Sequence, residues 1–137
     1  MAAIPDSARE ILESGKLGHL VTINKDGTPQ VSGVWVGIED GEIVMGHTGD
    51  AQKVKNIRRD GRVALSIEGT RMYGEALEYL VVHGSARVTE GGAPELLKRL
   101  AVQYTGHEIE YSAPNGGYVT RITPERFGGT GPWAGNV

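Results

Sequence analysis

Two short turns decide most of what this chain can become. "KDG" at Lys25–Gly27 and "EDG" at Glu39–Gly41 each sit between apolar or alternating segments. An Asp-Gly pair readily takes the backbone a tight hairpin needs, so each turn predicts an antiparallel strand on either side. "LGHLVTIN" (17–24), "TPQVSGVWVGI" (28–38) and "EIVMGHT" (42–48) are therefore expected as three consecutive strands of a meander. Pro29 stands near the start of the second, where a missing N–H is tolerated.

Further strands are expected at "RVALSIEG" (62–69), "EYLVVHGSARVTE" (78–90) and "GGYVTRITPERF" (116–127), with Gly84 as a bulge or bend in the fifth. Three helices are expected between them. The first follows Asp6 or Ser7 as cap, with Glu10 at capping-box distance from Ser7 and Ile11 and Leu12 facing inward. The second spans residues 50–60, capped by Asp50, stopped by Gly61 and apolar at Val54 and Ile57. The third is "APELLKRLAVQY" (93–104), with Leu96, Leu97, Leu100 and Val102 inside and Lys98 and Arg99 outside. Six short strands with few helices favour a small barrel over a parallel sheet. Such an edge-rich barrel is expected to complete itself as a homodimer.

The 137 residues suit one domain, 1–137. The absence of cysteine removes disulfides, thiolate metal sites and cysteine nucleophiles together. No apolar stretch reaches the length of a signal h-region or a membrane span, so a soluble, cytoplasmic protein is expected. The net charge is −3, yet Lys53, Lys55, Arg58, Arg59 and Arg62 crowd into ten positions. The rest of the chain is correspondingly acidic. A broad basic surface for nucleic acid is not available, and a small anionic ligand fits the local charge better.

That ligand's place is expected at the start of the second helix. Free N–H groups and the positive end of the helix dipole suit a phosphate, and Thr48, Gly49 and Lys53 stand near that end. The plainer alternative is a solvated helix face. His47 ends the third strand just before this turn and is a candidate cofactor contact. No histidine pair has metal-ligand spacing, so no metal is expected. No serine sits in a nucleophile elbow, and Glu75 and Glu78 read as solvated carboxylates near a Gly turn. Without acid–base machinery of its own, the chain fits a protein that takes its chemistry from a cofactor.

"GHLVTINKDGTPQVSGVWV", "GDAQKVKNIRRDGRVALSI" and "VTRITPERFGGTGPW" resemble, over nearly the whole chain, the six-stranded split β-barrel flavin and deazaflavin oxidoreductases. The group most resembled is that of the coenzyme F420-dependent reductases of actinobacteria, relatives of pyridoxamine 5′-phosphate oxidase. The resemblance implies that Gln30 and Ser32 line the tricyclic ring, that Thr48 and Lys53 hold the cofactor phosphate, and that Asn56 supports the turn. It implies that Arg58 and Arg59 meet the oligoglutamate tail of F420; the structural alternative is salt bridges to a partner subunit or to Asp60. Gly61 stands where proline is common. The extended C-terminal segment of pyridoxamine-phosphate oxidases is missing, and no histidine follows His107, which argues against that activity and against heme.

The resulting expectation is a homodimeric split barrel that transfers hydride from reduced F420 to a small conjugated substrate. The alternatives are an FMN-binding relative and a non-catalytic carrier. Trp133, a large aromatic in a Gly-rich tail, is expected to help cover the cofactor site, of its own or of the other subunit, or, as the plain alternative, to plug its own barrel end.

Overall fold

The structure, a computed structural model, describes residues 2–134. Along the chain run α1 (Asp6–Leu12), β1 (Gly18–Ile23), β2 (Pro29–Val34), β3 (Gly37–Glu39), β4 (Glu42–His47), α2 (Gln52–Arg59), β5 (Arg62–Tyr73), β6 (Ala76–Glu90), α3 (Ala93–Thr105) and β7 (Tyr118–Thr130). Short 3-10 turns at Pro114–Gly116 and Pro132–Ala134 flank β7. The strands form one sheet in the order β2-β1-β5-β6-β7-β4-β3, with every pairing antiparallel.

β2 and β3 occupy the two edges of that sheet, yet only Trp35 and Val36 separate them in the chain. The three Cα steps from Val34 to Gly37 reach about 11 Å at most. The sheet must therefore curl until its edges meet. No ladder joins β2 to β3, so the result is a split barrel, as expected, with a seam. The strand count differs from expectation: there are seven, because the segment 28–38 breaks at Trp35–Val36. The cause lies in α3. Val36 N–H donates to Tyr104 Oη at 2.9 Å, and Gln103 Nε2 donates to the Val36 carbonyl at 2.9 Å. With its backbone satisfied by side chains, the link has no need of a neighbouring strand.

Inside the barrel the strands contribute alternate residues, among them Leu20, Ile43, Met45, Leu65, Ile67, Leu80, Val82 and Ile122. Each fully buried side chain of this size stabilises the fold by about 1.5–3 kcal/mol relative to exposure. Ala8, Ile11 and Leu12 of α1 join the same core. α3 packs Leu96 and Leu100 outside the barrel, against Val44 and Val119. Val102, expected inward, is exposed; Ala101 is buried instead.

Both expected turns form, and Asp40 and Gly41 have φ of 52° and 77°, the left-handed pair a two-residue hairpin requires. The β6–β7 register shifts between His83 and Gly84, where any side chain on residue 84 would run into the Thr123 carbonyl. The caps differ from expectation. Pro5 and Ala51 stand at the N-caps of α1 and α2, and no side chain caps either helix. Pro5 suits its place because its fixed φ and missing N–H cost nothing there. Glu78 is also not solvated. It is buried, and its Oε2 accepts the N–H groups of Thr70 and Arg71 at 3.3 and 3.2 Å, where the β5–β6 register shifts.

Candidate functional site

The turn at 48–51 leads from β4 into α2. Val54 and Lys55 donate to the Ala51 carbonyl at 3.0 and 3.2 Å, so the N–H groups of Gln52 and Lys53 precede the helical ladder. Around this turn lies a cleft of about 580 Å³, lined by residues 48–51, Lys53, Leu97 and Tyr111. It continues, sharing His47, Lys53, Leu97 and Tyr111, into a space of about 240 Å³ bounded by Gly33, Val34 and Trp35. No atom lies within 4 Å of where a Cβ on Gly49 would stand, so the backbone of the turn faces open space.

Lys53 is half-buried and forms no ion pair among the described residues. Burial pulls its pKa below the ordinary lysine value. A cation in that state is under-compensated, and an anion in the cleft would relieve it. His47 is buried, with Nε2 and Thr120 Oγ1 2.8 Å apart. Burial, and then the Lys53 charge, push its pKa down to about 4, so the ring is neutral near pH 7.

Asn56 is fully buried and uses its whole amide. Nδ2 donates to Thr22 Oγ1 at 3.0 Å and Asn24 Oδ1 at 2.9 Å; Oδ1 accepts from Gln52 at 2.8 Å and Arg59 at 3.3 Å. It clips α2 to β1 and to the residue that follows β1. Gln30 and Ser32 stand opposite Thr22 and Leu20 on β2, half-buried, next to the residues Gly33 and Val34 that do line the cleft.

The other basic residues are turned elsewhere. Arg58 lies over the Tyr118 ring, 4.9 Å from its centroid, and 3.9 Å from Glu90. Arg59 donates to the Ile23 carbonyl. Arg62 makes a 2.7 Å ion pair with Asp60, which the guanidinium holds at a pKa of about 2. Trp133 is buried in the barrel core, with Nε1 donating to the Gly128 carbonyl at 2.8 Å. It plugs its own barrel beside α1 and does not line the cleft of its own chain.

Trp35, Leu97 and Tyr111 are among the cleft residues that escaped the sequence reading. Trp35 was hidden in an apolar strand pattern, Leu97 in the core face of α3, and Tyr111 in an irregular loop. The loop is tied to α3 by a 2.7 Å ion pair between Lys98 and Glu110. Only Trp35, flanked by the glycines of "SGVWVG", carried any signal of an aromatic at a break in a strand.

A family model described as pyridoxamine 5′-phosphate oxidase matches residues 4–130. A solved structure named F420 reductase superposes with a TM-score of 0.76 at 28% identity, covering 91% of this chain and 98% of that one. A conserved hypothetical protein, Rv2991 from Mycobacterium tuberculosis, gives a TM-score of 0.70 at 28% identity, covering 95% and 88%. HupZ of Group A Streptococcus gives 0.63 at 21% identity, covering 88% and 90%, a likeness of fold alone. No curated protein matches the chain. Matched from Ile4 to Thr130 and sharing the seamed barrel, the chain belongs to the pyridoxamine 5′-phosphate oxidase family, a group of flavin-binding oxidoreductases.

Proposed function

We propose that this protein is a reductase that binds reduced F420 in the cleft beside α2 and passes hydride to a small conjugated substrate. The observation that carries the reading is Lys53, a half-buried cation without an ion-pair partner among the described residues, at a helix start that no side chain caps. The donor set fits the group. A lysine ammonium, the Thr48 hydroxyl and the free N–H groups at the start of α2 suit a phosphate, and the adjoining space beside Trp35 suits a flat ring. When bound, the deazaflavin supplies the hydride; the chain binds its phosphate, orients its ring and shields it from water. A neutral His47 held by Thr120 supplies no second positive charge near the phosphate at pH 7.

The choice of F420 over FMN draws on the neighbour named F420 reductase. It draws less on the basic residues than their number suggests, because Arg58, Arg59 and Arg62 already have partners within the chain. Lys55 is exposed and has no ion pair among the described residues, so it can meet an anionic tail. FMN is the second reading, favoured by the family's flavin-binding character. Calorimetric titration of F420 and FMN at low and high salt decides between them. Tighter F420 binding that weakens with salt is expected; equal affinities, or FMN copurifying at one per chain, would refute the preference.

We also propose that two copies pair through the outer sheet face. On β5, Arg62, Ala64, Ser66 and Glu68 point outward, with exposed Leu77 and Tyr79 on the adjacent β6 and exposed Val31 two strands away on β2. A two-fold axis between Ala64 and Ser66 sets Arg62 of each copy opposite Glu68 of the other. Sedimentation equilibrium tests this: a monomer at every concentration removes the proposal.

A further inference from the structure

Taking the cleft as the ligand site proposed above, its two ends differ in chemistry. One end is the polar turn with Lys53; the other is aromatic. Trp35 stacks on Tyr104 with ring centroids 5.1 Å apart and planes 10° from parallel. The indole is left half-buried at the cleft, which Tyr111 also lines. Tyr104 does more than stack. Its hydroxyl accepts Val36 N–H at 2.9 Å and donates to the Lys16 carbonyl at 3.0 Å. The link that carries Trp35 is thus pinned from α3 on both its backbone and its side chain. A tryptophan held in this way loses little freedom on binding, and offset stacking on a flat ring becomes correspondingly favourable.

We infer that Trp35 and Tyr111 bind the planar ring of the ligand, and that Tyr104 is a positioning residue that sets the plane of Trp35. The ligand class is a flat conjugated heterocycle bearing a phosphate at one end. The ring lies toward the seam of the barrel and the phosphate toward α2. Nothing in the polar end requires this orientation; it follows from where the aromatic side chains stand.

The experiment uses two probes on the full chain, 5-deazariboflavin and its 5′-phosphate, with affinity measured by calorimetry and stacking by quenching of probe fluorescence. Trp35→Ala is expected to weaken both probes by the same factor, about tenfold, and to relieve the quenching. Tyr111→Ala, in a surface loop, should weaken both while leaving thermal unfolding unchanged, which keeps the test sound if Trp35→Ala folds poorly. Trp35→Phe should keep most of the affinity. Tyr104→Phe keeps a ring to stack on but frees the link, and should give a smaller loss for both probes. Lys53→Ala should weaken the phosphate-bearing probe alone. If wild type binds neither probe, or Lys53→Ala changes nothing, the cleft reading and this inference fall together. If Lys53→Ala weakens the phosphate probe while Trp35→Ala and Tyr111→Ala change neither, the cleft stands and the ring assignment is overturned.

Discussion

The two ends of α2 carry similar charges and put them to different use. At its start, Lys53 leans into a cleft, half-buried and without an ion pair among the described residues. At its end Arg58 lies over Tyr118 and Arg59 holds the Ile23 carbonyl, and just beyond, at the start of β5, Arg62 pairs with Asp60. Charge density in a sequence is therefore a poor guide to charge on offer. Arginine's planar fork finds carboxylates, carbonyls and ring faces within its own fold, whereas half-buried Lys53 and exposed Lys55 have no ion pair among the described residues. The basic stretch borders a cleft at one end and is an internal brace at the other.

The sharpest way to probe the start of α2 is through His47. Its folded pKa of about 4 lies below the ordinary 6.5, so the unfolded chain takes up the proton first as pH falls. The corresponding stability is fully present above pH 6.5 and is lost as pH drops toward 4, by up to about 3 kcal/mol. Urea unfolding across that window should show the loss, and His47→Gln should abolish it. Because part of the shift comes from Lys53, Lys53→Ala should move the histidine's pKa upward in an NMR titration. An unshifted resonance would separate the two groups.

Next in size is the effect of Lys53→Ala on ligand. A charge-assisted hydrogen bond is worth about 1.5–3 kcal/mol, so affinity for a phosphate-bearing ring should fall roughly ten- to a hundredfold with stability nearly unchanged. Arg59→Ala should do the reverse, lowering stability by about 1 kcal/mol through the lost bond to Ile23 while affinity holds. Arg62, fully exposed beside Asp60, should matter least to either, as exposed ion pairs usually do. If Arg59→Ala weakened the ligand as strongly as Lys53→Ala, the contrast between the two ends would collapse.

Much of this molecule is written locally. The Asp-Gly turns, the amphipathic α3 and the bulge at Gly84 each rest on a few neighbouring residues, and each could be read from the chain. What escaped depends on partners far away. Trp35–Val36 breaks a strand pattern only because Tyr104 and Gln103, from a helix formed much later in the sequence, satisfy its backbone. Glu78 looks like a solvated carboxylate until the β5 irregularity presents two N–H groups to it. Trp133 offered two readings, and nothing in the tail's own sequence tells that Gly128 will meet its indole N–H. In the site, Lys53 was legible from its place before Val54 and Ile57. Leu97 and Tyr111 were not, because they reach the cleft from α3 and the loop after it.

The seam at Trp35–Val36 also governs the order in which the barrel can be assembled. During synthesis the β1–β2 and β3–β4 hairpins leave the ribosome before the other strands, already joined by a link of only two residues. β4, however, pairs on its other side with β7, the last strand to be made. Until residues 118–130 emerge, β4 has an open edge, and the two hairpins are tethered side by side with no sheet to hold them apart. Non-local closure of this kind is slow, and nascent chains with bare strand edges are prone to pair with the wrong neighbour. The charged residues at the β3–β4 corner, Glu39, Asp40 and Glu42, are of the kind that discourages such mispairing.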